Sequence, residues 1–327
     1  MSELRRDPIS DSWVIIAPDR AARPLDFPIA PPRPSAQATC PFCPGREHET
    51  PPEIASIRDA KGWRVRVVPN KFPALVREGA PGNHIEGLLE SGAALGAHEV
   101  IIEGPEHVLS LTGLPAERIP EILATWRSRL LDLKRDARLA FGLVFKNVGE
   151  RAGASLEHVH SQLIAAPVVP VRVQAELERC ARHHEETGRC LLCDLIAQER
   201  KGGARVVAET SRFIVLAPWA SKAPFETHIL PKDHASHFEA TDDAGIGELA
   251  ETLRKTLVRI ERALDGPAYN VLVCSGPLNV PASDSYHWRL EIIPRVAGVA
   301  GFEWATGFFI NTVAPEAAAA RLRQSRV

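Results

Sequence analysis

The sequence predicts an α+β fold built by tandem duplication, with an antiparallel sheet and one long helix in each half. Three observations predict it. One cysteine–histidine pattern occurs twice: Cys40-Pro41-Phe42-Cys43 with His107 and His158, then Cys190-Leu191-Leu192-Cys193 with His234 and His287. The last step is nearly equal, 51 residues from His107 to His158 and 53 from His234 to His287. Between those markers, short β-branched runs and one apolar-striped helix fall in the same order. A chain of 327 residues has room for two such units. They are predicted to span 1–172 and 173–327, divided on a polar helix running from Gln174 to Thr187.

Residues 1–39 open with a short strand over Trp13 to Ala17 and continue as an extended arm, because Pro28, Pro31, Pro32 and Pro34 cluster there. The first Cys-x-x-Cys sits in a turn. Trp63 to Val68 alternates and is β-branched, so it reads as a strand, and Glu99 to Glu103 as another. Ile119, Ile122, Leu123, Trp126, Leu130 and Leu133 recur at helical spacing and predict a helix over 117–138. Leu143 to Phe145 begins a strand, Val148 to Leu156 is a loop, and His158 to Ile164 is a strand. The second half repeats this order. Arg205 to Val207, Phe213 to Leu216 and His228 to Leu230 are strands, and Thr241 caps a helix carrying Ile246, Leu249, Leu253, Leu257 and Ile260. Asn270 to Cys274 and His287 to Ile293 close the series, with Pro294 as the stop.

The bulk numbers exclude several classes. Hydrophobic residues make up 45%, enough for real cores, and the net charge of −2 offers no electrostatic pull toward nucleic acid or an anionic membrane. No apolar run approaches about 18 residues, and the first residues lack the apolar core of a signal peptide. A cytoplasmic protein is expected. Four of the six cysteines lie in Cys-x-x-Cys pairs, which read as metal sites in a reducing compartment. Cys180 and Cys274 read as plain thiols.

Zinc takes four soft or borderline ligands in a tetrahedron, and two cysteines a turn apart supply one edge. Cys40, Cys43, His107 and His158 would form one closed site, and Cys190, Cys193, His234 and His287 a second. With no coordination position left open, both read as structural. A redox pair is the alternative for either Cys-x-x-Cys. His48, His84, His98, His183, His184, His228 and His237 are competing ligands, with His183 and His184 read as a solvated helix face.

Alternate residues of a strand share a face, so His158, His160 and Gln162 point together. A metal at His158 would anchor the strand two residues from His160 and pre-position its imidazole as a nucleophile. Imidazole attacks phosphorus and leaves again, splitting one transfer into two. Gln162 can donate an amide hydrogen to a phosphoryl oxygen, and the loop from Gly149 to Ser155 offers backbone N–H groups, a hydroxyl and an arginine. The other reading makes these residues metal ligands or satisfied core groups. In the second half Arg289 stands where His160 does in the first.

These residues resemble the galactose-1-phosphate uridylyltransferase family of the histidine-triad superfamily. The resemblance runs nearly end to end, through Arg5-Arg6-Asp7-Pro8, Arg20-Ala21-Ala22-Arg23-Pro24, Cys40-Pro41-Phe42-Cys43, Asn70-Lys71-Phe72-Pro73, Phe145-Lys146-Asn147, Gly153-Ala154-Ser155, His158-Val159-His160-Ser161-Gln162, Pro224-Phe225-Glu226-Thr227 and Leu230-Pro231-Lys232 with His234. It implies two histidine-triad-like units, with His160 as the residue that takes the nucleotide covalently. It implies that Gln162 and Ser155 hold the transferred phosphoryl group, that Asn147, Asn70, Phe72 and Glu303 bind substrate, and that Arg20 and Arg23 bind phosphate across a homodimer. Its metal site matches Cys40, Cys43, His107 and His158, whereas the second Cys-x-x-Cys is typical of one branch and others keep an iron-type site.

Two departures bear on substrate. The long-studied uridylyltransferases have Asp where this chain has Lys71, and a hexose-binding Gln shortly after the position of Glu303, where this chain reads Trp304 to Phe309. The reaction expected is ping-pong transfer of UMP from UDP-glucose to a sugar 1-phosphate such as galactose 1-phosphate. Two alternatives stand beside it: ADP-glucose phosphorylase chemistry with the same nucleophile, and a zinc-stabilised binding module without turnover.

Overall fold

The computed structural model describes residues 2–22, 40–79 and 82–325. Of the expected proline-rich arm, the stretch 23–39, with Arg23 and the four clustered prolines, lies outside the described residues. In chain order the strands of the first half are β1 (Glu3–Arg6), β2 (Trp13–Ile16), β3 (Ala55–Asp59), β4 (Gly62–Pro69), β5 (Asn83–Glu86), β6 (Leu89–Gly92) and β7 (Ala97–Ile102). Helix α1 (Ile119–Leu133), β8 (Phe141–Val148) and β9 (His160–Ala166) complete it. Next come α2 (Val171–Thr187), α3 (Leu191–Gly202), β10 (Val206–Glu209), β11 (Phe213–Leu216) and β12 (Thr227–Pro231). Helix α4 (Asp243–Ala263), β13 (Tyr269–Cys274), β14 (Arg289–Pro294), α5 (Gly301–Thr306), β15 (Phe309–Asn311) and α6 (Pro315–Gln324) end the chain.

Ten strands form one antiparallel sheet in the order β10-β11-β12-β14-β13-β8-β9-β7-β4-β3. Read outward from the centre, each half has the same order: β8-β9-β7-β4-β3 on one side, β13-β14-β12-β11-β10 on the other. The duplication is therefore a property of the topology. The halves do not have separate sheets. They join where β8 pairs with β13, Val148 opposite Tyr269 and Val144 opposite Val273. That pairing covers an edge that either half would otherwise expose.

Helices α1 and α4 pack on one face and against each other. Their apolar stripes explain it: Ile122, Leu123, Trp126 and Leu130 of α1, and Ile246, Leu249, Leu253, Leu257 and Ile260 of α4, are buried in one continuous core. Strand β9 alternates as expected. Leu163 and Ala165 enter that core, and Ser161 accepts a 2.8 Å hydrogen bond from the Trp126 indole, so His160 and Gln162 face the opposite side.

Several boundaries differ from expectation, each for a local reason. Helix α1 ends at Leu133, because the Asp136 carboxylate takes the Arg138 N–H at 3.1 Å and turns the chain. The cap of α4 is Asp242 and not Thr241: its carboxylate accepts from Gly245 N–H at 2.7 Å. Asp outranks Thr at that position. His158 and His287 precede β9 and β14 by two residues, at the mouths of the strands. His183 is not on a solvated face, since α2 lies on α3 and the imidazole pairs with Asp194 at 2.8 Å.

Candidate active site and metal centres

The two Cys–His sets come together as expected. Within each set of four, all ligand atoms lie within 4.8 Å of one another. Cys43 Sγ is 3.3 Å from His107 Nδ1 and 3.6 Å from His158 Nδ1. Cys193 Sγ is 3.6 Å from His234 Nδ1 and 3.5 Å from His287 Nδ1. A zinc tetrahedron with Zn–S of about 2.3 Å and Zn–N of about 2.0 Å has S···N edges of about 3.5 Å. Both clusters therefore fit that ion.

The tautomers fit too. His158 Nε2 contacts Gly104 O at 2.7 Å, His287 Nε2 contacts Pro231 O at 3.0 Å, and His234 Nε2 contacts Ser283 O at 2.9 Å. A carbonyl only accepts, so each proton sits on Nε2 and each Nδ1 lone pair is left for a cation. Burial, reinforced by Cys40, pushes the Cys43 thiol up to about 11, so a metal bound there must displace a proton. The first centre ties the knuckle before β3 to the start of β9. The second ties the start of α3 to the start of β14.

Beyond His158 stands His160, buried and facing an open pocket of about 570 Å³. Its Nδ1 lies 2.7 Å from the His158 carbonyl oxygen. The same logic places the proton on Nδ1 and leaves the Nε2 lone pair bare. Burial, aided by the charge of Lys146, lowers its pKa to about 4, so the ring is neutral at cellular pH. A neutral, oriented imidazole in a pocket wall is equipped to attack phosphorus.

Lys146 holds the backbone at this point. Its ammonium is buried and donates to His160 O at 2.9 Å and Glu103 at 2.5 Å. Burial pushes its pKa down, against the opposing pull of Glu103. Lys146→Met would strand the Glu103 carboxylate in the interior, and a loss of about 3–5 kcal/mol is expected in urea denaturation. Adding Glu103→Leu should recover much of it.

Asn70, Phe72, Ser155 and Gln162 line the pocket with His160, joined by Lys71, Glu49 and Phe42. Asn147, Arg20 and Glu303 are not among its lining residues. Arg20 is exposed in a 3-10 turn, and Glu303 accepts the Ala300 N–H at 3.0 Å in α5. Asn147 is held from the other half: Asn270 donates to its Oδ1 at 2.8 Å and to Ala152 O at 2.8 Å, while Arg295 fixes Asn270 at 2.5 Å.

The loop after β8 departs from expectation. Gly149 and Gly153 have φ of +81° and +88°, a region glycine enters without strain. The N–H groups of Ala152, Gly153 and Ala154 donate inside the turn, to Gly149 O and Glu150 O. They are not free for a ligand, and the loop presents the Ser155 side of its tip to the pocket.

In the second half, Arg289 at the position of His160 is buried between Glu176 at 2.9 Å and Glu291 at 2.7 Å. That half offers no nucleophile there. The trio Glu226, His228 and Glu291 converges beside it, a cluster the sequence reading did not single out. None of the described helices is long and apolar enough to cross a membrane.

Comparison with known proteins agrees with this geometry. The profile of the family described as "Galactose-1-phosphate uridyl transferase, N-terminal domain" matches residues 1–170, and a domain of unknown function matches 128–326. An ADP-glucose phosphorylase of Arabidopsis thaliana is 40% identical over 98% of this chain and 92% of its own length. A galactose-1-phosphate uridylyltransferase of Thermotoga maritima is 30% identical over 100% of this chain and 99% of its own. The crystal structure of an Arabidopsis thaliana ADP-glucose phosphorylase with bound ADP-glucose superposes with a TM-score of 0.87 at 37% identity, covering 100% of this chain and 99% of that one. Alike end to end in sequence and fold, the chain belongs to the galactose-1-phosphate uridylyltransferase family within the histidine-triad superfamily, a family of nucleotidyltransferases.

Proposed function

We propose that this protein is an ADP-glucose phosphorylase working through a covalent nucleotidyl-histidine. His160 Nε2 attacks the α-phosphorus of ADP-glucose, the bond to the bridging oxygen breaks, and glucose 1-phosphate leaves. Inorganic phosphate then attacks the same phosphorus, breaks the P–N bond, and departs as ADP with His160 restored. Gln162 and Ser155 steady the phosphoryl oxygens, and the pocket walls from Asn70 to Phe72 flank the nucleoside.

The observation that carries the chemistry is the His160 tautomer, with Nδ1–H held on the His158 carbonyl. The adenylyl assignment is supported by the Arabidopsis relative, at 40% identity against 30% for the Thermotoga uridylyltransferase. Uridylyl transfer to galactose 1-phosphate, the first expectation from sequence, is the second reading, supported by that Thermotoga relative and by the family profile over 1–170. We assign zinc to both Cys–His centres on their S···N edges. We also assign a homodimer, supported by an exposed Arg20 standing apart from its own chain's pocket.

Intact-protein mass spectrometry after mixing with ADP-glucose or UDP-glucose tests the reading. An AMP-sized adduct with ADP-glucose, discharged by phosphate, is expected. A UMP-sized adduct from UDP-glucose alone would replace it with the uridylyl reading, and no adduct with either would remove His160 from its role.

A further inference from the structure

Gln162 can serve a phosphoryl group only if its amide points the right way. The oxygen and nitrogen of a glutamine amide are nearly equal in size, so only their partners decide which faces the pocket. Aimed the wrong way, the amide would set a carbonyl oxygen against a phosphoryl oxygen.

His98 on β7 supplies the decision. Its Nδ1 lies 3.1 Å from the backbone nitrogen of Ala74, and a peptide N–H only donates. Nδ1 is therefore bare, the ring is neutral, and its single proton is on Nε2. That nitrogen is 2.8 Å from Gln162 Oε1. The N–H donates, so Oε1 is pinned away from the pocket. Asn70 Nδ2 stands on the same side, 3.5 Å from Oε1; with the proton on His98 Nε2, its 3.1 Å approach to that nitrogen is not a hydrogen bond. The amide nitrogen of Gln162 donates to no protein group among the described residues. Its hydrogens are left for the pocket that it shares with His160.

We propose that His98 is a positioning residue for phosphoryl transfer: it reads the Ala74 amide with one ring nitrogen and orients Gln162 with the other. This rests on the phosphoryl-transfer reading above.

The experiment is a double-mutant cycle read by rapid-quench formation of the nucleotidyl-enzyme from ADP-glucose. His98→Leu should slow that step by up to about 100-fold, the scale of one lost oxyanion donor, with ADP-glucose affinity little changed. His98→Gln, whose side-chain amide can donate to Oε1, should recover most of the rate. In a Gln162→Ala background, His98→Leu should cost nothing further. An equal loss in both backgrounds, or no loss in either, would overturn the inference and leave the nucleophile assignment standing. Failure of the unmodified enzyme to form any adduct would overturn both. Melting temperatures of the four proteins separate these results from misfolding.

Discussion

His160→Ala is expected to lose nucleotidyl transfer by about 10⁴-fold or more, the scale on which removing a covalent nucleophile is felt. Its metal content and melting temperature should stay as they are. Among the described residues the ring makes one hydrogen bond, to the His158 carbonyl, and no metal cluster includes it. Substrate turnover, metal analysis and a thermal melt on one preparation check all three. Loss of metal in this variant would mean that the roles of His158 and His160 had been exchanged.

His158→Ala should do the reverse. Removing one of four ligands should release the ion from the first centre, seen as one equivalent less per chain by elemental mass spectrometry. A structural zinc contributes about 10–16 kcal/mol of apparent binding free energy, so releasing it should lower stability in denaturant unfolding by at least about 3 kcal/mol. Activity should fall as well, because the entry of β9 loses the anchor two residues before His160. Unchanged metal content would place the ion elsewhere.

The parts of this molecule written in local patterns were legible from the chain. The knuckle spacings led to both clusters, and the alternation of His158, His160 and Gln162 placed His160 on the face away from Trp126. The stripes on α1 and α4 marked the core. What escaped was pairwise and distant. His98 looked like one of several spare ligands, because nothing local says that β7 sets it beside Gln162 across the β7–β9 pair. Asn270 carried no signal, since its partner Asn147 is 123 positions away. The amides of the loop after β8 looked available because a turn's internal hydrogen bonds do not appear in composition. The exposed hairpin of β5 and β6 lacks the two-face alternation that marks a strand, with no buried residue in β6 at all.

The junction of β8 with β13 bears on any attempt to dissect the protein. Excising the first half would free the β13-facing edge of β8 along Val144 to Val148, in a strand with every other side chain buried. Such an unpaired edge is a ready template for another copy of itself. The excised fragment would keep its knuckle, its metal ligands and His160, yet lose the Asn270 clasp on Asn147 and gain a sticky border. The half with Arg289 at the matching position thus covers the sheet edge of the half with His160 and holds its Asn147, so the two cannot be parted without exposing that edge.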